Sequence, residues 1–76
     1  MREVCDVRLV PVEGGYWIQL LPRSGPHQPA MSSGRQGGPY AKKVGAKQAA
    51  RLAVRRSGWV LGEWSEGPEI PVTQKL

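Results

Sequence analysis

From residue 45 the chain reads Gly45-Ala46-Lys47-Gln48-Ala49-Ala50-Arg51-Leu52-Ala53-Val54-Arg55-Arg56-Ser57. Apolar side chains recur at positions i, i+3, i+4, i+7 and i+8, namely at Ala46, Ala49, Ala50, Ala53 and Val54. This spacing forms one apolar stripe and predicts an α-helix over residues 45–57. The small alanine side chains favour close packing against a sheet, and Gly58 is placed to end the helix in the left-handed conformation.

Strand patterns flank the helix on both sides. Residues 4–12 alternate between apolar and polar side chains, which is the period of a half-buried strand. Glu13-Gly14-Gly15 supplies residues that tolerate a tight turn, and residues 16–21 have the composition of a returning strand. Residues 59–64 predict a last strand, and residues 40–44 are open to a short additional one. We therefore expect an α+β fold, a small antiparallel sheet of three to four strands with one helix packed on one face, in ββ-loop-βαβ order.

The chain is long enough for one domain only. With 76 residues, a folded chain buries about 60% of the surface that it exposes when unfolded. Residues 22–39 contain four prolines, four glycines and three serines, a composition that favours a flexible loop. We predict a single α+β domain over residues 1–64, with this loop inside it, and a C-terminal tail over residues 65–76.

Few side chains are available for catalysis or metal binding. The chain has one cysteine, Cys5, one histidine, His27, and one aspartate, Asp6. Cys5 falls in a predicted strand and His27 in the predicted loop, so neither provides a nucleophile with a base beside it. A single cysteine also excludes an internal disulfide. We expect a protein that is not an enzyme, with no catalytic residue, no metal site, no cofactor and no small-molecule substrate.

No stretch approaches the roughly 20 apolar residues that cross a bilayer, and the N-terminal residues lack the apolar run of a secretion signal. The predicted helix has an apolar face made mostly of alanine, which gives little energy for membrane insertion. The sequence therefore predicts a cytoplasmic, soluble protein without membrane association.

Basic residues are concentrated in the middle of the chain. The formal net charge is +5, yet residues 22–56 hold eight basic residues and no acidic residue. A field of one sign attracts polyanions. On the predicted helix, Lys47, Arg51 and Arg55 are spaced four apart and share one face. We predict nucleic-acid contacts by this row and by the other cations of the basic segment, Lys42, Lys43, Arg23 and Arg35.

The second predicted strand offers a different kind of surface. If Tyr16, Ile18 and Leu20 face the helix, then Trp17 and Leu21 point away from it and leave apolar side chains exposed. Exposed aromatic residues beside cations can also anchor a protein partner. We therefore name Trp17, Leu21 and Arg56 as candidate partner-binding residues, with the reversed register as the alternative.

The run Lys42-Lys43-Val44-Gly45-Ala46-Lys47, followed by Ala49-Ala50, resembles the start of the second helix in double-stranded-RNA-binding domains. Gly25-Pro26-His27 is similar to a loop of the same family. The resemblance covers residues 25–54 and implies that Lys42, Lys43 and Lys47 meet phosphate. The family's first helix has no counterpart in this chain. The order of hairpin, strand, helix and strand also resembles the arm-type DNA-binding domains of phage integrases.

Two functions are left open by these patterns. The first is a small basic module that binds DNA or RNA through the helix face and the Arg-bearing loop. The second is a regulator of the kind carried by phages and mobile elements, which binds a host protein and inhibits or adapts it. The sequence alone does not separate the two.

Overall fold

The computed structural model describes residues 2–32 and 37–72. They form the strands β1 (Val4–Val12) and β2 (Gly15–Pro22), the helix α1 (Lys43–Arg56) and the strand β3 (Val60–Glu66). The predicted α+β class, with one helix on one face of a small sheet, is confirmed. The predicted hairpin, helix and last strand are all present, with bounds that differ by one or two residues.

The helix α1 begins at Lys43, two residues before the start predicted from the alanine stripe. Lys42 occupies the N-cap position in an extended conformation, without a side-chain cap. At the other end Gly58 has a φ of 76° and donates its N–H to the carbonyl oxygen of Arg55. Glycine adopts this left-handed conformation without steric cost, so the predicted helix stop at Gly58 is confirmed.

The three strands lie in the order β2-β1-β3. β1 and β2 pair antiparallel, and β1 and β3 pair parallel, so the sheet is mixed where the sequence led us to expect antiparallel pairing throughout. The reason is the path of the chain. After β2 it crosses over β1 through α1 and enters the far edge of the sheet in the direction of β1.

One face of the sheet packs against α1. Its core contains alternate residues of β1 and β2 together with the alanine stripe, namely Cys5, Val7, Leu9, Ile18, Leu20, Ala46, Ala50 and Val54. Trp59, Leu61 and Trp64 are partly buried against this core. Of the two registers left open for β2, the structure has the one in which Ile18 and Leu20 face the helix.

The chain after β2 returns along the free edge of that strand. Gln28 N–H donates to Leu20 O at 3.0 Å, and Met31 and Ile18 exchange two backbone hydrogen bonds of 2.6 and 3.0 Å. Tyr40 forms an isolated antiparallel bridge with Tyr16. This bridge takes the place of the short strand considered for residues 40–44, because Lys43 and Val44 already belong to α1.

The segment that follows β3 covers the sheet face opposite α1. Arg8 Nε donates to Pro68 O at 2.7 Å, and the side-chain amide of Gln19 holds Ile70 through two hydrogen bonds of 2.5 and 2.9 Å. Gln19 is completely buried. Residues 67–72, which we call the C-terminal strap, thus form the second covering layer of the sheet.

Candidate nucleic-acid interface

The predicted basic row lies along one side of α1, above the edge strand β3. Lys47 Nζ lies 5.4 Å from the centroid of the Trp64 ring, and the guanidinium carbon of Arg51 lies 5.5 Å from it. Trp64 in turn packs against the core under the helix. Cations at these distances are attracted to an indole face, so one tryptophan holds two members of the row side by side.

Arg55 and Arg56 extend the basic surface to the end of α1. Both side chains are exposed and lie in the last helical turn, where positive charge is favourable because of the helix dipole. Among residues 2–32 and 37–72, neither arginine forms an ion pair or a hydrogen bond with an acidic residue. Both guanidinium groups are therefore available to an external anion.

Lys43 is the cation of the predicted set on α1 that an acidic neighbour partly neutralises. Its Nζ lies 2.9 Å from Glu66 Oε1 and 5.7 Å from the centroid of the Tyr16 ring. The hydrogen bond to the Glu66 carboxylate raises the pKa of Lys43. Lys42, directly before the helix, is exposed. Of the two lysines, Lys42 is therefore the more available to an anion.

Arg23 lies away from the helix row. It forms a bidentate pair with Asp6, with Nε and Nη2 at 3.1 and 3.0 Å from the two carboxylate oxygens. Asp6 alternates along β1 with core residues that face α1, so this pair belongs to the opposite side of the sheet. The structure thus separates Arg23 from Lys47, Arg51 and Arg55. The remaining predicted cation, Arg35, lies outside the described residues.

Three of the six acidic side chains hold the loop after β2 and the bulge of β3. The Glu3 carboxylate accepts from the backbone N–H and the hydroxyl group of Ser24, and Glu69 accepts from Ala30 N–H at 2.7 Å. Asp6 accepts from Glu63 N–H at 2.8 Å, at the point where β3 carries one extra residue relative to β1. The hydrogen bond from Arg23 lowers the pKa of Asp6.

The predicted partner-binding surface on β2 is not exposed. Leu21 is 9% exposed and Trp17 is half-buried, with its indole nitrogen inside and without a hydrogen-bond partner among the described residues. The prediction that Trp17 and Leu21 form an open apolar face is wrong, because the C-terminal strap lies on that side of the sheet. Arg56, the third residue of this set, is exposed on α1.

Sequence reasoning missed the apolar residues that are exposed on the helix side. Val44 and Leu52 on α1 are 60% and 51% exposed, and Met31, beside β2, is 36% exposed. Val44 and Leu52 are eight residues apart, so about 12 Å along the helix axis and about 80° around it separate these two exposed residues. The sequence could have indicated this exposure, because Val44 and Leu52 are apolar but do not belong to the alanine stripe that packs on the sheet.

Cys5 and His27, the two residues considered as nucleophile and base, lie in the core and in the segment beside β2. Cys5 is buried in the core, and burial raises the pKa of its thiol. His27 is half-buried in the segment beside β2. Within the described part of the chain, no group of three or more histidine, cysteine or acidic side chains is arranged to hold a metal ion.

Comparison with protein-family models, with curated proteins and with solved structures found no match for this chain. The helix of the described residues is too short and too polar to cross a membrane. The cations arranged on α1 are the main functional feature of the described residues.

Proposed function

We propose that the chain is a non-enzymatic nucleic-acid-binding module that contacts phosphates through the outer face of α1. The observation that carries this proposal is the row of Lys47, Arg51 and Arg55, which forms no ion pair with an acidic side chain among the described residues. Glu66, which lines the same hollow as Lys47, pairs with Lys43 instead. Cations that pair with acidic side chains of the same chain would already be neutralised. Unopposed cations on one face attract a polyanion and neutralise its phosphates.

The contact with Trp64 supports the proposal, because it reduces the conformational freedom of two long side chains before a ligand arrives. Lys47 and Arg51 lie over the same ring. A side chain that is already ordered loses less entropy on binding. Arginine can donate two parallel hydrogen bonds to one phosphate, so Arg51 and Arg55 supply geometry as well as charge.

The test is a band-shift titration at low salt with single-stranded and duplex DNA and RNA. We expect the wild-type protein to bind, and the variant carrying Lys47→Glu, Arg51→Glu and Arg55→Glu to lose binding by at least about 100-fold, since three attractive charges become repulsive. Circular dichroism checks that the variant is folded. Absence of wild-type binding to every one of these nucleic acids, or equal binding by the folded variant, contradicts the proposal.

The alternative is a regulator that binds a host protein, and exposed Leu52 beside Arg56 is the observation that favours it. A pulldown from nuclease-treated lysate distinguishes the two functions. One stoichiometric protein that stays bound after nucleic acid is removed, and that is released by Leu52→Gln, would support the regulator. Loss of all captured material with the nucleic acid would support phosphate binding.

A further inference from the structure

Two shallow hollows lie on the flank of α1 that faces the segment after β2. The first has a volume of about 290 Å³ and is lined by Trp59, Met31 and Ala53, among others. The second has a volume of about 300 Å³ and is lined by Tyr40, Leu52 and Arg56, and it shares Met31 and Ala53 with the first. The hollows are therefore neighbours, separated by Met31, and each contains one aromatic side chain.

Both hollows combine an apolar floor with polar groups at the margin. Gln28 and Ser57 line the first hollow, and Ser32 lines the second. Tyr40 and Trp59 are half-buried, and each lines its hollow. Flat apolar groups with hydrogen-bonding edges fit such hollows, and nucleobases have these two properties.

The positive charge around the hollows favours a ligand whose planar groups are joined by negatively charged groups. Among the described residues, no acidic side chain lines either hollow. Arg56 lines the second, and Arg55 and Arg56 offset the unfavourable negative end of the helix dipole near the first. By contrast, the hollow beside Trp64 is lined by Glu66, which pairs with Lys43, and it lacks this uniform positive character.

We infer that the chain binds single-stranded nucleic acid, with unstacked bases in the Tyr40 and Trp59 hollows and with the phosphates on the cations of α1. This inference rests on the proposed function and names its ligand class. In a duplex the bases remain paired and stacked, so they are not available to enter separate hollows. Single strands are flexible and offer base faces and phosphates together. This matches the aromatic residues and Arg56 on this flank, together with the row of Lys47, Arg51 and Arg55 toward the β3 side of the same helix.

The test compares two single strands with the same number of phosphates, a thymidine 12-mer and a 12-mer whose central residues are abasic, with a 12-base-pair duplex whose affinity is expressed per phosphate. We expect the wild-type protein to bind the thymidine strand about 5-fold to 100-fold more tightly than the abasic strand, because base stacking on a protein aromatic contributes this much per base. We expect the duplex to bind more weakly than the thymidine strand.

Substitutions in the hollows test whether the preference for the thymidine strand over the abasic strand arises there. Met31→Gln and Leu52→Gln change exposed side chains that line them, and both variants should reduce the ratio between thymidine and abasic affinities. Val44→Gln is the matched control, since Val44 is an exposed apolar residue of the same helix that lines neither hollow. This control should leave the ratio unchanged.

Equal affinity for the thymidine and abasic strands, or tighter binding of the duplex, overturns the inference while phosphate binding by α1 still stands. Equal reductions of the ratio by Val44→Gln and Leu52→Gln overturn the assignment to the hollows. Failure of the wild-type protein to bind any probe at low salt overturns the proposed function, and the inference with it.

Discussion

On the sheet side away from α1, Asp6 binds Arg23 through two hydrogen bonds, and Gln19 and Arg8 bind the C-terminal strap. On the outer side of α1, Arg55 and Arg56 have no such partner among the described residues, and Arg51 lies over the face of Trp64. Polar and charged groups therefore hold the chain together on one side. On the other side they are left available to a ligand.

The difference explains the uneven charge along the sequence. The acids lie at the two ends of the chain, where Glu3, Asp6 and Glu69 accept hydrogen bonds that fix the loop after β2 and the bulge of β3. The middle of the chain has no acid at all, so α1 has no internal ion-pair partner. Changes on the strap side should thus lower stability without affecting binding. Changes on the helix side should do the reverse.

The largest effect on stability is expected from Gln19→Leu, which keeps the side-chain volume but removes the amide. Ile70 then loses the partners of its backbone N–H and C=O in a part-buried site. Unsatisfied groups of this kind cost about 1–3 kcal/mol each, so we expect a loss of roughly 2–4 kcal/mol in the free energy of unfolding. Urea denaturation measures it.

The matched control is Gln48→Leu, because Gln48 is an exposed glutamine on α1. Its effect on the free energy of unfolding should stay within about 0.5 kcal/mol. If the two substitutions are equally destabilising, the C-terminal strap does not contribute to stability in the way that its hydrogen bonds indicate.

A smaller effect, of about 1 kcal/mol at neutral pH, is expected from Asp6→Asn. The hydrogen bond from Arg23 lowers the pKa of Asp6 in the folded chain. Its contribution is therefore fully present above the unfolded pKa of about 4 and is lost as the pH falls through the lower folded pKa. The solvent exposure of Arg23, 53% for its side chain, keeps the contribution modest.

Thermal unfolding of the wild-type protein and Asp6→Asn across the acidic range measures this contribution. The difference between the two melting temperatures should shrink as the pH falls below about 4. Glu13→Gln, at the exposed hairpin turn, serves as the control and should change little. A difference for Asp6→Asn that persists undiminished in strong acid would show that the ionised carboxylate is not its source.

The smallest effect is expected on nucleic-acid affinity, when a single cation is neutralised on one side or on the other. Arg55→Gln removes one proposed phosphate contact and should weaken nucleic-acid binding roughly threefold at moderate salt, with unchanged stability. Arg23→Gln removes the same charge from the other side, where the guanidinium is bound by Asp6. Equilibrium titration of both variants should find weaker binding for Arg55→Gln only, and the opposite order would reverse the roles given to the two sides.

Local patterns predicted most of the fold. The alanine stripe predicted α1 and its packing face, and the alternation in residues 4–12 predicted β1. The parallel pairing of β3 was not predictable, because it depends on the chain crossing β1 rather than on any local pattern. The strap was also missed, although a glutamine between Ile18 and Leu20 and a later Pro68-Glu69-Ile70-Pro71 stretch were visible in the sequence.

Only the part of the candidate site that depends on local spacing was predicted. The four-residue spacing of Lys47, Arg51 and Arg55 places them on one face of any helix, and the structure has that arrangement. The position of Arg23 depends on Asp6, a partner 17 residues away, and the contact of Arg51 with Trp64 depends on how β3 enters the sheet. Such long-range contacts decide which cations are available, and the sequence does not specify them locally.

The salt dependence of nucleic-acid affinity tests most directly whether the helix cations, and not the paired ones, meet phosphate. Two double variants remove the same net charge: Arg51→Gln with Arg55→Gln, and Arg8→Gln with Arg23→Gln, the two arginines bound on the other side of the sheet. A plot of log affinity against log salt should lose about 1.4 units of slope with a single strand, or about 1.8 with a duplex, in the first double variant and keep the wild-type slope in the second. Equal slopes for the two double variants would contradict the assignment of phosphate binding to α1.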